Sequence, residues 1–425
     1  MAAAAVSAAA ASAAAVSAVG SSDGGVAVDE IEGVADALGM VRIPVVDAGV
    51  VSQEAVWARY VAPSLPCIWR GGMHDWPCSA AASRGGGSDS YTAEVAGGIL
   101  RGLFGAAAQP TVPLERPPAG GEAAGYGAAV REQLPLEAAL AAVARGDGYL
   151  KDWHVVRDAP AAASRALYRV PSPFADDYLN FYYDTVARVA GATAVDDYRF
   201  VYYGPRGSRT PVHHDVMYSA SWSANVCGTK LWLMLPPEVS RDTLYDAWGD
   251  LCVNTLIPPP LAAALLRYLA PATGDHVPHN ACAAAAVRWL TTVAAASPPA
   301  AVVPDAALHV AVQRAGDVMF VPPGWHHEVL NLATTLSVNH NWFCAASLGA
   351  TWGFVAREAA AVRASIQDCR DTYASPLEWE CHVQLLLRLN AAANADDVRL
   401  WCRAASIHWF DCISLRTSLP THKCS

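Results

Sequence analysis

The sequence predicts a mainly β protein, a jelly roll or barrel, with helices added towards its carboxyl end. Short strand-like segments separated by turn residues follow one another over about residues 196–345, a pattern that is typical of barrels and jelly rolls and unlike that of a doubly wound sheet. From Thr351 onward the apolar residues recur at helical spacing, which indicates several carboxyl-terminal helices. The 425-residue chain is 53% apolar. Alanine tracts inflate that share, but it still provides a core and excludes a wholly disordered protein.

The segments of the predicted barrel can be placed in order along the chain. The run from Ser221 to Pro237 resembles a hairpin about Gly228. The stretch that follows is rich in Ala and Pro and is predicted to be a large insertion with some helix. The other strand-like segments of the barrel are Tyr198–Gly204, His309–Val312, Asp317–Pro322 and Thr334–Trp342.

The chain before the barrel has weaker patterns. Its amino-terminal residues are mostly Ala, Val and Ser, and the first basic residue is Arg42, so we expect a low-complexity tail that is neither a secretory signal nor an Arg-rich transit peptide. After the tail, strand patterns at Val41, Pro66 and Tyr149 alternate with short helix patterns and with low-complexity loops. The predicted helices are Gln53–Tyr60 and Phe174–Val189, and the predicted loops are 80–90 and 105–126.

These patterns divide the chain into five predicted parts. They are a disordered Ala-rich tail (1–40), α/β elements that flank the barrel (41–195), a core (196–345) with an Ala/Pro-rich insertion at about 241–305, a helical region (346–415) and a tail (416–425). The helical region would pack on the barrel or form a dimer interface, so a homodimer through the carboxyl-terminal helices is one expectation.

Charge and cysteine usage limit the classes of partner. The formal net charge of −10 argues against a nucleic-acid-binding protein with a broad basic surface, although it is compatible with a basic protein partner. No stretch reaches 18 strongly apolar residues, so we expect no membrane span. The eleven cysteines include no C-x-x-C pair. That distribution argues against zinc fingers and a disulfide framework, and favours reduced thiols in a cytosolic or nuclear protein.

Two histidine clusters carry the candidate chemistry. The first is Thr210-Pro-Val-His-His-Asp215, and the second is Val321-Pro-Pro-Gly-Trp-His-His-Glu328. Two histidines and one carboxylate on one face of an octahedron form the usual site for non-haem Fe(II), with open positions for a cosubstrate and O₂. Residues i and i+2 of a strand point the same way, which selects His213 with Asp215.

The third ligand of such a site would come from the second cluster. Strand alternation allows only one of His326 and His327 to point inward, and the residues alone do not decide which. A lone His-x-Asp is a weak signal, because motifs of this length often occur by chance. The second cluster, in its own strand context, gives the combination its weight.

The segment from Asp196 to Trp342 resembles a JmjC domain, a cupin-fold oxygenase dependent on Fe(II) and 2-oxoglutarate. The resemblance rests on the two histidine clusters and on Trp222-Ser-Ala-Asn-Val-Cys-Gly-Thr-Lys-Leu-Trp232. It implies a double-stranded β-helix whose Trp-x-His pattern makes His327 the distal iron ligand, beside His213 and Asp215. It also implies that Thr210, Lys230 and Asn339 hold 2-oxoglutarate. Ser223 departs from the family, where many members have asparagine.

Within that family the chain is most similar to the branch that hydroxylates a lysine of the eukaryotic translation termination factor. Lys151-Asp-Trp-His, Asp196-Asp-Tyr-Arg-Phe-Val-Tyr and Val338-Asn-His-Asn-Trp support the closer match. The resemblance thus implies an enzyme with a protein substrate, active in the cytoplasm or also in the nucleus. An Nε-methyl-lysine demethylase would use the same triad, and a non-catalytic cupin scaffold that binds a partner through its carboxyl-terminal helices is the non-enzymatic alternative.

Overall fold

Two β-sheets packed against each other form the centre of the protein. Apolar side chains from both sheets, including Ile68 and Met319 of one and Trp232 and Met234 of the other, meet in a buried cluster between them. The double-sheet architecture with added helices confirms the predicted fold class. The computed structural model describes residues 28–78, 89–104, 110–117, 129–159, 167–190, 197–245, 251–270, 280–296, 303–391, 393 and 397–400.

The smaller sheet has five strands and the larger sheet has nine. In spatial order, the smaller sheet consists of β1 (Val41–Arg42), β11 (His309–Gln313), β10 (Lys230–Leu235), β13 (His326–Asn331) and β8 (Arg209–His213). The larger consists of β2 (Val45–Asp47), β3 (Cys67–Arg70), β12 (Asp317–Val321), β9 (Ala220–Cys227), β14 (Thr335–Trp342), β7 (Arg199–Gly204), β6 (Tyr149–Trp153), β4 (Thr111–Arg116) and β5 (Val130–Pro135). Neighbouring strands are antiparallel except in the pairs β1 with β11 and β2 with β3.

Helices cover the outer faces of the sheets. Along β10, Trp232 and Met234 enter the cluster between the sheets, whereas the leucines at 231, 233 and 235 pack outward against helices of the insertion. This is the period-2 alternation of a strand buried on both faces. The helices are α1 (Val28–Ala37), α2 (Gln53–Val56), α3 (Asp89–Gly102), α4 (Leu136–Ala144), α5 (Val155–Asp158), α6 (Tyr178–Ala190), α7 (Pro237–Thr243), α8 (Pro259–Leu269), α9 (Ala281–Ala295), α10 (Leu348–Ser365) and α11 (Pro376–Ala391).

The predicted tail is too long at its carboxyl end. Helix α1 occupies part of the stretch that was predicted to be disordered, and Ile31 and Ala35 are fully buried against the insertion. These residues are four apart, so they lie on one helical face and supply the apolar stripe that orders the segment. Residues 1–27 of the predicted tail, and the predicted tail at 416–425, lie outside the described residues.

Some other local predictions also need correction. Strand β4 lies within the stretch predicted as a low-complexity loop at 105–126, where it pairs with β5 and β6. The helix predicted from Gln53 is confirmed, but it continues as a π-helical turn over Trp57–Val61. Of the described cysteines seven are free, as expected, while Cys381 is disulfide-bonded. Among the helices in the described ranges, none has both the length and the apolar character needed to cross a membrane.

The predicted hairpin about Gly228 is wrong. Strands β9 and β10 flank this glycine, but β9 pairs with β12 and β14 in the larger sheet, and β10 pairs with β11 and β13 in the smaller one. The turn therefore carries the chain from one sheet to the other. Both strands are buried along their whole length, so their apolar pattern gave no information about which strand each would pair with.

Substitution of Gly228 by alanine should lower the free energy of unfolding by about 3 kcal/mol. Its φ is +83°, and a Cβ atom would clash sterically with the backbone carbonyl oxygen of Thr334. Gly316 is the matched control, because its φ of +87° is similar and no atom lies within 4 Å of a Cβ built there. Gly316→Ala should cost only about 1 kcal/mol. Denaturant unfolding of both variants measures the difference, and equal losses would contradict the role of the close contact.

Candidate metal centre

Two adjacent strands and the turn after one of them bring three metal-binding side chains together. His213 ends β8 and stands directly opposite His327 on β13, with 4.2 Å between the centres of the two imidazole rings. Asp215 follows in the next turn. One ligand atom from each of these three residues lies within 4.8 Å of the other two, which is the spacing of groups that share one ion.

Backbone contacts orient both imidazoles. Nδ1 of His213 lies 2.8 Å from the Pro211 carbonyl oxygen, and Nδ1 of His327 lies 3.1 Å from that of Trp325. A carbonyl accepts a hydrogen bond, so each Nδ1 carries the proton and each Nε2 is the basic, metal-binding nitrogen.

The third group of the cluster, the carboxylate of Asp215, is not fully hydrogen-bonded. Oδ2 of Asp215 is buried and has no hydrogen-bond partner. A buried carboxylate oxygen without a donor is costly, and a cation held between Asp215 and the two imidazoles would remove that cost. The residues therefore fit a divalent metal ion such as Fe(II), because two nitrogens and one carboxylate are the donor set that this ion takes in open sites.

Burial keeps the imidazole of His213 neutral. Desolvation lowers its pKa well below the usual value, and nearby His327 and Lys151 lower it further. Only a neutral imidazole can donate a lone pair to a metal, so the environment favours the metal-binding form across the physiological pH range.

The neighbouring histidine of each cluster makes other contacts, His326 by alternation along β13 and His214 in the turn after β8. The ring of His214 packs against Tyr218 and Phe354 of α10. His326 lies 2.6 Å through Nε2 from the Tyr245 hydroxyl, and burial, aided by His214, lowers its pKa to about 3. Of the two histidines left open by the sequence, His327 is thus the one that the structure brings to His213.

A β-bulge brings Thr210 to the same side as His213. Residues three apart on a regular strand point to opposite faces, but the register shifts here, so that Val329 faces Thr210 while His327 faces His213. Because residues 327 and 329 share a face, their partners do so as well. Thr210 is hydrogen-bonded to the buried phenol of Tyr149, a residue that sequence reasoning did not select.

Lys230 is a buried cation that reaches from the smaller sheet to the larger. It is 2% exposed, and its Nζ donates a hydrogen bond to Ser337 Oγ at 2.7 Å. Among the described residues, no carboxylate lies within ion-pair distance of it. Burial lowers the pKa of Lys230 to about 7, so an anionic ligand would restore its charge.

This lowered pKa predicts a pH-dependent stability of the ligand-free protein. The unfolded lysine holds its proton up to about pH 10.4, whereas the folded one releases it near pH 7. Between these values the unfolded state binds more protons, so the contribution of Lys230 to the free energy of unfolding rises with pH. Lys230→Met should therefore stabilise the protein most at or below pH 7, with a gain that shrinks towards pH 10. Denaturant unfolding at pH 6.5 and 9.5 tests this, and a gain independent of pH would contradict it.

Asn339 and the aromatic pair on β7 complete the predicted set. Asn339 stands opposite Ser223 on β9 and accepts a hydrogen bond from its hydroxyl at 3.0 Å, so the residue that departs from the family contacts a residue predicted to bind the cosubstrate. Tyr202 faces the space between the sheets, whereas Tyr203 packs outward in the core of the larger sheet. The sequence left open which of these two tyrosines would reach the pocket.

A cavity of about 520 Å³ opens beside the three metal-binding residues. His213, Asp215 and Thr210 are in its wall, and Tyr245 and Leu251 contribute from the insertion. Lys230 and Asn339 are not in this wall. Nζ of Lys230 lies 5.9 Å from the ring of Tyr202, which is itself a wall residue. The wall also contains Lys151 and Asp152. Both belong to the motif Lys151-Asp-Trp-His, but the sequence predicted no role for either of them.

A double-sheet barrel in which a distant histidine meets a His-x-Asp pair defines the class of metal-binding cupins. The chain belongs to the cupin-like domain family, whose description matches residues 53–346. This membership confirms the resemblance to JmjC-type cupins noted from the sequence motifs.

Relatives to which the chain is similar include proteins named as oxygenases and one named as a demethylase. The chain is 37% identical over 253 residues to the human "2-oxoglutarate and iron-dependent oxygenase JMJD4", which covers 60% of this chain and 49% of the relative. The zebrafish (Danio rerio) protein of the same name is 36% identical over 244 residues, with 57% and 47% covered. The "Arginine-specific demethylase JMJ20" of Arabidopsis thaliana is 33% identical over 267 residues, with 61% and 49% covered. The chain spans about half the length of the curated relatives it matches.

Proposed function

We propose that this protein is an Fe(II)- and 2-oxoglutarate-dependent protein hydroxylase. The convergence of His213, Asp215 and His327 within 4.8 Å of one another carries the proposal. These three would hold the iron through two imidazole Nε2 atoms and one carboxylate. The relatives that are named iron- and 2-oxoglutarate-dependent oxygenases support the same chemistry.

The cosubstrate site would lie between the two sheets. Lys230 would pair its ammonium with a carboxylate of 2-oxoglutarate, since it is fully desolvated and Ser337 alone cannot neutralise it. Thr210 and Asn339 would add a hydroxyl and an amide to the same ligand. When bound, the ferrous ion and 2-oxoglutarate supply the oxidising chemistry, in which O₂ converts the cosubstrate to succinate and CO₂ and hydroxylates a C–H bond of the substrate.

The residues of the chain would then set the conditions for that chemistry. Backbone carbonyls fix the imidazole tautomers, and the apolar cluster between the sheets keeps bulk water from the centre. The volume of the cavity beside the triad, about 520 Å³, is sufficient for an amino-acid side chain, which is what a protein hydroxylase has to admit.

We infer a lysine side-chain carbon of the eukaryotic translation termination factor as the target. Support comes from the similarity to the JMJD4 oxygenases, together with the motif Lys151-Asp-Trp-His on β6. A translation factor as substrate would place the activity in the cytoplasm, with the nucleus as an additional site. Helix α11 exposes Leu385 and Leu389, which supports a homodimer through the carboxyl-terminal helices.

Mass spectrometry of the termination factor tests the substrate. Incubation with the purified protein, Fe(II), 2-oxoglutarate and ascorbate should yield a lysine-containing peptide heavier by one oxygen atom. The same reaction without Fe(II) is the control. Succinate formation on other proteins without that peptide would move the target elsewhere, and the absence of any Fe(II)-dependent succinate formation would favour the non-catalytic scaffold.

Demethylation is the second candidate, because one of the relatives is named an arginine-specific demethylase. Hydroxylation at an N-methyl carbon by the same triad would release formaldehyde. Methylated lysine and methylated arginine peptides should therefore be assayed beside the termination factor. Formaldehyde release, without a stable hydroxylated product, would decide for this second function.

A further inference from the structure

Strand β6 is deformed where it borders the metal centre. Leu150 pairs with Tyr203 and Trp153 with Val201 on β7, so three steps along β6 match two along its partner. One extra residue is thus accommodated in a bulge. Asp152 within it has a φ of +56°, a left-handed conformation that costs a non-glycine residue about 1 kcal/mol or more.

The bulge turns two consecutive side chains towards the same space. On a regular strand residue 152 would share the face of Leu150, which packs in the core of the larger sheet. Asp152 instead accepts a hydrogen bond from Tyr202 and lies with Lys151 in the wall of the cavity that contains His213 and Asp215. Bulges commonly re-aim side chains beside active sites. The strained backbone at Asp152 therefore places a carboxylate in the pocket that a regular strand would have turned away.

The surroundings of Asp152 leave it able to bind another cation. Its Oδ1 accepts a hydrogen bond from the Tyr202 hydroxyl at 2.5 Å, and its Oδ2 accepts one from Arg131. Arg131 is 45% exposed and also donates to Glu115 at 2.9 Å, so it can keep one carboxylate partner when it releases the other. A carboxylate has about four acceptor positions, and two of those on Asp152 are used.

Charge in the cavity wall narrows the ligand class. Within the described lining the carboxylates are those of Asp215 and Asp152, and the ammonium is that of Lys151, which is paired with Glu115 at 3.6 Å. Asp215 is committed to the proposed iron. We infer that Asp152 receives the cationic end of the substrate side chain, an ammonium or a guanidinium, while the carbons before it lie at the metal. This inference rests on the proposed function, and it makes Asp152 a residue that determines which side chains are accepted.

Small probes test the inference without requiring turnover. Nα-acetyl-lysine N-methylamide, its arginine counterpart and its uncharged norleucine counterpart would be titrated into the full chain, and dissociation constants measured by ligand-observed NMR. The lysine or the arginine probe should bind about 10- to 100-fold more tightly than norleucine, because a charged hydrogen bond in a desolvated site is worth that factor. The probe that binds more tightly, lysine or arginine, identifies the side chain that the pocket accepts.

Variants separate the role of Asp152 from folding effects. Asp152→Asn should bring the cationic and norleucine probes to similar affinities, whereas Asp371→Asn, at an exposed position outside the pocket, should leave the ratio unchanged. Arg131→Gln removes the competing cation and should raise the affinity of the cationic probe, so it keeps the test informative if Asp152→Asn does not fold.

Two outcomes would overturn the inference. One is a norleucine probe that binds wild type as tightly as the cationic probes, and the other is a preference that survives Asp152→Asn. Failure of the proposed oxygenase function has a different signature, which is the absence of Fe(II)-dependent succinate formation while the preference for cationic probes persists.

Discussion

Asp215→Ala is expected to lower Fe(II)-dependent 2-oxoglutarate turnover by more than about 100-fold. The substitution removes the carboxylate of the three-residue group and leaves the two imidazoles. Such a pair binds a divalent ion weakly and does not fix the open positions on one side of it. Succinate production measures the loss of turnover, and titration with Mn(II) followed by electron paramagnetic resonance measures the loss of metal affinity.

The stability of the metal-free Asp215→Ala protein shows whether the substitution removes only a metal-binding group or also disrupts folding. Oδ2 of Asp215 is buried without a donor, so its removal should leave the thermal midpoint of the metal-free protein unchanged or higher. Asp371→Ala, at an exposed position, serves as the control and should leave both turnover and metal affinity intact. An Asp215→Ala protein that is folded and still turns over 2-oxoglutarate with iron would refute the proposed centre.

Lys230→Met should raise the KM for 2-oxoglutarate by about 100-fold or more, since a buried ion pair with the ligand carboxylate is lost. Lys230→Met would thus raise the stability of the ligand-free protein and weaken the binding of 2-oxoglutarate. A lysine with only a structural role would not produce both effects. In the wild type, affinity for 2-oxoglutarate should also fall as pH rises above about 7, because binding must then return a proton to Lys230.

Isothermal titration at pH 6.5, 7.5 and 8.5 measures this dependence. The decline should approach tenfold per pH unit above the pKa of the empty site, and it should be absent from Lys230→Met. Lys230→Arg keeps a charge at this position and should retain more affinity than the methionine variant. An unaltered KM in Lys230→Met would remove Lys230 from the cosubstrate site.

The sequence predicted the chemistry of the centre better than its surroundings. Strand alternation predicted the pair of His213 and Asp215, although Asp215 lies in the turn after β8 and not on the strand. The structure brings both to His327, which lies 114 residues beyond His213. Alternation alone could not choose between His326 and His327, because either phase of β13 is compatible with its pattern. The choice depends on the register with β8, which is a tertiary property.

Bulges explain most of what the sequence could not predict near the site. The shifts in β8 and β6 have no signature in period-2 patterns, since neither Pro211 nor Asp152 identifies a bulge by its residue type. Thr210 was therefore predicted as a site residue only from the family resemblance. The sequence assigned no role to Lys151 or Asp152. In the fold, the crossing at Gly228 looked like a hairpin because a turn glycine between two apolar strands is common to both arrangements.

The crossing at Gly228 also constrains when the centre can come into existence during synthesis. Because β10 pairs with β11 and β13, the smaller sheet cannot be completed until the chain through Asn331 has left the ribosome. Because β9 pairs with β12 and β14, the larger sheet has to wait for the chain through Trp342. A nascent polypeptide that ends before β13 exposes β9 and β10 as apolar edges, and it has His213 and Asp215 without their third partner, His327. Such chains should depend on chaperones and be unable to retain iron until β13 has been synthesised.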